Sequence, residues 1–577
     1  MAGASYEYRP LSVGKHEIRL LELLPGETTD PVCAEPLHVS LDKPLRYETI
    51  SYVWGDPTRT EPIFLSDREL LVPKNTVAAL RRMRTLDAPR LLWIDAVCIN
   101  QDDVQERGKQ VGIMGLIYGS STGNLIHLPA DDAMAARIIK AVETLDREAH
   151  EATDGFRVFS ARVRNPLTGD FSSRLWVLQE ARLAPQNICF LGSLTMSLEV
   201  ILRAARWVDH TTQLLIAKGA AAAGRRCMVE MYDMVDTQEG HYRSRGGYAS
   251  LMQLLIIAQN FENTEPRDGI YAILGLIKKR PAPHEVIPAW FKPDYSRSLG
   301  DVLRDATRIV AVKHSLDILR FVNHRDDTEL GLAMPSWVRR ADWTYSAELD
   351  ARPLQHHFIA DRGLRAPSLL VLEPEDPAVL SLEGFVVDRV LVATDHCPTA
   401  TFARQTCLDS WLADAVTKLL CIATEKLPAH VPPPSLLTVA TAACAQRAHS
   451  GGLADTEAMD AAADHLGVVL GSRNIDGAVN HLQETSNGAG TQPFNMNDLR
   501  NRRLFVTLAG RAGLGPKVTL DGDVIVVARG SSLPLLLRPC NPSYHFVGSA
   551  YLYGVMQSEA VDAFKATARQ EEIFHVR

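Results

Sequence analysis

The chain has no run of about 18 apolar residues, so its sequence offers no helix able to span a bilayer. Its opening residues, MAGASYEYRP, lack the apolar core of a secretory signal, which makes the cytoplasm the expected compartment. It has no Cys-x-x-Cys and no His-Glu-x-x-His, the spacings that bring zinc ligands together, so no metal is expected. Nine cysteines, an odd count scattered over 577 residues, read as reduced and mostly buried thiols. There is no Gly-x-Ser-x-Gly and no Gly-x-x-x-x-Gly-Lys-Ser/Thr, so serine hydrolysis and NTP hydrolysis have no support. Nor is there an excess of positive charge. The 61 basic residues are outnumbered by 69 acidic ones, for a net charge of -8, and no nucleic-acid footprint is expected. What is present, 46% apolar and 23% charged residues, is ordinary for a folded chain of two to four domains.

One stretch organises the rest. LLWI at residues 91–94 is a short apolar run of the kind buried on both faces of a sheet, and it stops at Asp95. A polar cluster, Asn100-Gln101-Asp102-Asp103, follows. Val111, Met114 and Tyr118 then recur at helical spacing. Polar residues just past the carboxyl end of a buried strand mark the ligand crevice of open α/β sheets.

Residues 1–46 read as a lead-in. YETISYVW (47–54) is a strand by its β-branched and aromatic content. Residues 61–72 suggest a hairpin through Asp67-Arg68, and a helix follows Pro73 with Val77, Leu80 and Met83 on one face. A third strand at 124–128, a helix at 134–148, a helix carrying RLWVLQE (174–180) capped by Ser172 or Ser173, and a strand at 188–192 complete the pattern. This alternation predicts a doubly wound parallel sheet over 47–197. A helical region is expected over 198–370 and a mixed α/β, mainly β, region over 371–577, with two strands between Val379 and Val392. Pro432-Pro433-Pro434 and Gly451-Gly452 mark 427–455 as a linker-like insertion.

Several side chains can carry chemistry, each with a plainer alternative. Ser51, Tyr52, Trp54, Gly55 and Asp56 would open onto the same crevice as Asp95, Asn100 and Gln101, because neighbouring parallel strands end on one side. Otherwise Tyr52 and Trp54 are core aromatics and Gly55-Asp56-Pro57 is a turn. Asp95 suits a ribose diol, and equally suits capping the turn that follows. Glu106, Arg107 and Gln110 read as a solvated helix face with local ion pairs. Glu180 follows Trp176 by four residues and shares its helix face. A carboxylate beside an indole in a cleft can steady the positive charge of a breaking glycosidic bond, though an exposed helical glutamate is the simpler role. Gly510, Gly513 and Gly515 read as turns, and His356-His357 and Asp395-His396-Cys397 as surface or core residues.

Taken together, YETISYVWGD (47–56), WIDAVCINQD (93–102) with Glu106-Arg107 and Gln110-Val111, and RLWVLQE (174–180) resemble the three signatures of the fungal heterokaryon-incompatibility (HET) domain, in the right order. RDGIYAILGL (267–276), PSW (335–337), GDVI (522–525), Pro534 and YLYGVM (551–556) are similar to downstream segments of long HET proteins. The stretch 124–129 departs from many relatives, which carry a more hydrophobic strand there.

HET domains in turn resemble TIR domains, flavodoxin-like signalling modules. Ser51-Tyr52, Trp93-Ile94-Asp95 and the pair Trp176 and Glu180 match TIR positions. In TIR enzymes that glutamate is the catalytic residue of NAD cleavage. The resemblance therefore implies an incompatibility-type death effector in which Glu180 acts on NAD, a substrate rather than a retained cofactor, with Trp54 or Trp176 stacking and Asp95 and Asn100 positioning. It equally allows a non-enzymatic module that self-associates as a homo-oligomer or recognises an incompatibility partner through its HET domain.

Overall fold

The computed structural model describes residues 4–12, 16–151, 174–203, 251–258, 261–277, 290–313, 315–331, 334–340, 359–363, 374–397, 405–443 and 501–577, with isolated positions 288, 371, 470 and 499. The expected Ser172 or Ser173 cap and His356-His357 lie outside them, as do residues 444–455 of the proposed insertion. The chain folds as two units, Met1–Leu299 and Gly300–Arg577. Among the described residues no helix is long and apolar enough to cross a membrane.

The first unit is built on β1 (Glu17–Leu23), β2 (Cys33–Ser40), β3 (Glu48–Tyr52), β4 (Arg59–Leu65), β5 (Arg68–Pro73), β6 (Arg90–Trp93), β7 (Gly123–Leu128), β8 (Asn187–Leu191) and β9 (Leu194–Ser197). They form a single sheet in the order β5-β4-β2-β1-β6-β3-β7-β8-β9. Its centre, β6-β3-β7-β8, is parallel throughout. In chain order these strands stand second, first, third, fourth, the doubly wound order whose reversal point lies between β3 and β7. The sheet as a whole is mixed, because antiparallel neighbours extend the parallel centre on both sides. Residues read as lead-in supply two of them, β1 and β2, and the expected third strand, β7, lies inside the sheet between β3 and β8.

The hairpin between β4 and β5 turns at Ser66 and Asp67, both at positive φ, as a two-residue turn matched to strand twist requires. Helix α1 (Lys74–Met83) buries Val77, Leu80 and Met83. Past β6 come α2 (Asp95–Cys98), α3 (Val104–Gly112) and α4 (Met114–Ser120). The helical periodicity from Val111 to Tyr118 thus spans two helices that break at Ile113. Asp103 caps α3 by accepting from the amides of Gln105 and Glu106. Helix α5 (Asp132–Glu151) follows β7. Helix α6 (Val177–Leu183) packs against α4 and against α8 (Asp268–Leu274), while α7 (Leu251–Ala258) packs against α8.

Glu106 and Gln110 do not form a solvated face. They are 8% and 3% exposed, because β1 holds both, Glu106 through the Arg19 side chain and Gln110 through the backbone of Glu17. Its Nη1 and Nη2 donate to Glu106 Oε1 and Oε2 at 2.5 and 2.9 Å, and also to the carbonyls of Cys98 and Arg9. Gln110 Nε2 donates to the Glu17 carbonyl at 3.0 Å.

The second unit begins with α9 (Leu299–Lys313). Its largest sheet joins β10 (Leu380–Ala393), β11 (Arg502–Thr507), β12 (Ala512–Pro516), β13 (Val524–Ala528), β14 (Leu535–Cys540), β15 (Ser543–Ser549), β16 (Tyr551–Leu552) and β17 (Glu572–Val576). Strand β13 pairs with both β14 and β10, which closes β10, β13, β14, β15 and β17 into a ring. Phe505, Ile525, Val527, Leu536 and Val547 pack one core here. Helix α12 (Glu559–Lys565) lies between β16 and β17 in the chain.

Three expectations are corrected. Val379 to Val392 is one strand, not two: bulges at Val386/Asp388 and Val390/Val392 reset its inside–outside alternation. Gly513 and Gly515 lie in β12 rather than in turns. A Cβ on Gly513 would stand 2.2 Å from the Phe505 ring, so glycine there makes room for an aromatic. The insertion read at 427–455 holds α11 (Leu436–Ala443), which follows α10 (Gln405–Lys426). Its Val439, Ala440 and Ala442 are buried with Leu504 and Leu514, and Ser435 accepts from the Thr438 amide at its start.

Replacing Arg19 with alanine leaves the Glu106 carboxylate buried and unpaired, which costs about 3–5 kcal/mol. Urea unfolding followed by tryptophan fluorescence is expected to show that loss, and a smaller one in the Arg19→Met, Glu106→Leu double variant. A single variant within about 1 kcal/mol of wild type would show that the pair carries little.

Candidate functional site

The ends of β3 and β6 define the crevice. On β3, Ser51 donates to Asn124 Oδ1 at 2.9 Å, and Thr49 donates to the same oxygen at 3.1 Å. Asn124 passes the chain on, donating to Asn187 Oδ1 at 3.1 Å, and Asn187 donates to the Ala181 carbonyl at 2.8 Å. A line of amides thus runs from β3 through β7 and β8 into α6, and sets the helix that carries Glu180. Asn124 is fully buried, so each of these bonds replaces water that would otherwise be lost without return.

At the strand ends, Trp54 Nε1 donates to Asp95 Oδ2 at 2.9 Å, and the Ala96 amide donates to Asp95 Oδ1 at 2.7 Å. Tyr52 is buried, with its hydroxyl against Thr76 Oγ1 at 2.9 Å. Gly55 sits at φ +66°, and a Cβ there would meet Asn75 Nδ2 at 2.6 Å, so the turn after Trp54 requires glycine. Arg174 Nη1 donates to the Tyr52 carbonyl, and the next amide, Leu175, is held by the Glu262 carbonyl at 3.0 Å.

Glu180 is 3% exposed, and among the described residues its Oε2 has no hydrogen-bond partner. Burial pushes its carboxyl up to about 7, against the pull of the Arg174 charge and of the neighbouring Ser51 hydroxyl, while the Asp95 charge pushes the same way as burial. Burial also raises Asp95, opposed by Arg174 and by the Trp54 indole. The Tyr118 hydroxyl, on α4, is raised well above its ordinary value by burial and next by the Glu180 charge. Two carboxylates, one guanidinium and the Ser51, Tyr52 and Tyr118 hydroxyls therefore share one sheltered place.

The remaining expected residues stand elsewhere. Asp56 is exposed and accepts from the Thr58 amide and hydroxyl, closing its own turn. Asn100 and Gln101 organise the loop: Asn100 Oδ1 accepts from the Asp102 amide at 3.2 Å, and Gln101 Nε2 donates to the Asp95 carbonyl at 2.9 Å. Trp176 donates its indole N–H to Asp268 Oδ2 at 2.9 Å. Asp268 Oδ1 takes the Tyr295 hydroxyl at 2.6 Å, so this indole is engaged with the downstream segment rather than with Asp95. Arg174, Tyr118 and Asn124 received no role from the sequence. A polar residue inside an apolar strand was the available signal for Asn124, and position inside RLWVLQE the signal for Arg174. Among the described residues no group of three or more His, Cys, Asp or Glu side chains is placed to hold a metal ion.

Residues 47–180 match the family described as heterokaryon incompatibility protein (HET), and residues 471–576 match the Het-6 beta-barrel domain. Residues 47–180 thus carry a HET domain. Over nearly its whole length it is similar to heterokaryon incompatibility protein 6, OR allele, of Neurospora crassa: 22% identical, with 99% of this chain and 98% of that protein covered. No solved structure matches it at a significant level.

Because folding raises the Glu180 carboxyl from 4.5 to about 7, the folded state holds its proton where the unfolded state has lost it. The contribution is therefore fully favourable below pH 4.5 and is lost as pH rises to about 7, to a total of roughly 3 kcal/mol. Glu180→Gln cannot ionise. Its unfolding midpoint relative to wild type should rise between pH 5 and pH 8, and parallel midpoints across that range would remove the buried, ionisable Glu180 described here.

Proposed function

We propose that this chain acts in heterokaryon incompatibility as a death effector whose HET unit cleaves NAD at the nicotinamide–ribose bond. One observation carries the reading: Glu180, sheltered and lacking a partner for Oε2, stands beside Asp95 beyond the carboxyl ends of β3 and β6. Doubly wound sheets bind their ligands outside the carboxyl ends of their parallel strands. The spacing of Trp176 and Glu180, which resembles TIR enzymes, supports the same reaction.

The chemistry follows from the charges. As the bond between C1′ and the pyridine nitrogen breaks, both electrons leave with the ring, which becomes neutral, and the positive charge passes to the ribose. An ionised Glu180 in a sheltered site lowers the energy of that cation far more than it would in water. Water then adds to C1′, and half-buried Asp95 takes its proton. Only the carboxylate form of Glu180 does this work.

A second reading, a non-enzymatic module that self-associates or recognises an incompatibility partner, is favoured by the 3% exposure of Glu180, which a purely structural role tolerates.

Purified full-length protein is expected to consume NAD, with a rate that climbs as pH rises through about 7. Glu180→Gln should lower turnover by about a hundredfold or more. Turnover that is unchanged in this variant, or absent from wild type at every protein concentration tried, favours the non-enzymatic module.

A further inference from the structure

A cavity of about 430 Å³ lies beside the crevice, outside the Glu180 cluster. The N-terminal segment forms one wall. Tyr6 pairs its backbone with Glu69 on β5, the Tyr6 and Tyr8 rings meet edge to face at 5.2 Å, and Tyr8 is fixed by its hydroxyl on the Val97 carbonyl. The opposite wall is the loop that carries Asp95. Gln101 lines the cavity while its Nε2 holds the Asp95 carbonyl, so the two places share a wall.

At the mouth, Arg59 forks onto Asp102 at 2.8 and 3.0 Å, with the two side chains 42% and 73% exposed. An ion pair so exposed contributes little, because solvent screens it and both side chains must be held to make it. A phosphate, which meets the same guanidinium fork with more charge, can replace it.

We propose that this cavity is a purine nucleotide pocket. The base stacks on Tyr6 and turns its exocyclic amine to Gln101 Oε1, the ribose diol donates to Glu69, and the phosphate takes Arg59 from Asp102. The volume suits such a ligand, small-molecule sites being about 300–1,000 Å³ and lined by aromatic side chains with a few placed polar groups. Taken with the reading of the neighbouring crevice, on which this part rests, the pocket receives the adenylate half of NAD. Its affinity for a free purine nucleotide does not depend on that reading.

The Arg59–Asp102 pair gives a test with opposite signs. AMP binding to the full chain, measured by titration calorimetry, should be tighter than that of adenosine or inorganic phosphate. Arg59→Ala should weaken AMP by about tenfold, and Asp102→Asn, which frees the guanidinium, should tighten it about threefold. Loss of a structural contact would move both variants the same way. Both residues are at the surface, so folding is not at stake. No AMP binding at millimolar concentration, or variants that shift together, overturns the pocket. AMP binding with opposed variants but no NAD consumption keeps the pocket and removes the glycohydrolase. NAD consumption whose KM is unmoved by Arg59→Ala, with no AMP binding, removes the pocket alone.

Discussion

The buried pair of Arg19 and Glu106 is the contact on which the crevice depends. Glu106 Oε1 takes both Arg19 Nη1 and the Asn100 amide, Oε2 takes Nη2, and the guanidinium also donates to the Cys98 and Arg9 carbonyls. Removing two charges from water costs several kcal/mol each, and only near-complete hydrogen bonding offsets it. Here one ion pair draws the N-terminal segment, the end of α2 and the loop before α3 onto the edge of β1. Strand β1 pairs with β6, so the circuit closes on the strand whose end presents Asp95. A loop of this length, free to move, could not hold a carboxylate against the Trp54 indole.

This arrangement also marks where sequence reasoning reaches and where it stops. Strands β3 and β6, the hairpin of β4 and β5, helix α1 and the α/β order were legible, because each is written locally in apolar spacing or turn chemistry. The burial of Glu106 was not, since its partner lies 87 residues away in a segment with no motif of its own. Charged residues at helical spacing look solvated until something arrives to cover them. The glycines of β12 misled for the same reason: their purpose is to leave room for Phe505, a partner in another strand. Local pattern likewise could not show that bulges make one strand of β10, or that the apolar run after Pro434 packs as α11 under β11 and β12.

The candidate site divides along the same line. That Ser51, Asp95 and Glu180 lie near one another follows from strand order, and strand order follows from alternation. Which neighbour each side chain chooses does not. Trp176 shares a helix turn with Glu180, yet gives its indole to Asp268, because a buried N–H must find an acceptor and the downstream helix supplies one. Asn100 and Gln101 likewise spend their polar atoms on the loop itself.

Among the described residues Arg174 stands near two carboxylates, yet it hydrogen-bonds to the Tyr52 carbonyl. Burial alone would favour a direct ion pair, which would quench both acids and lower Glu180 into its ordinary range. Held instead on a neutral acceptor, the guanidinium acts at a distance, strong enough to limit the rise of Glu180 but too weak to cancel it. Keeping a buried carboxylate this uncomfortable costs stability, and a core built only to fold would have replaced it with an apolar side chain. The amide line from Ser51 through Asn124 and Asn187 to α6 keeps that acid in place, and a buried carboxyl so displaced from its ordinary range is what marks the ends of β3 and β6 as the candidate site.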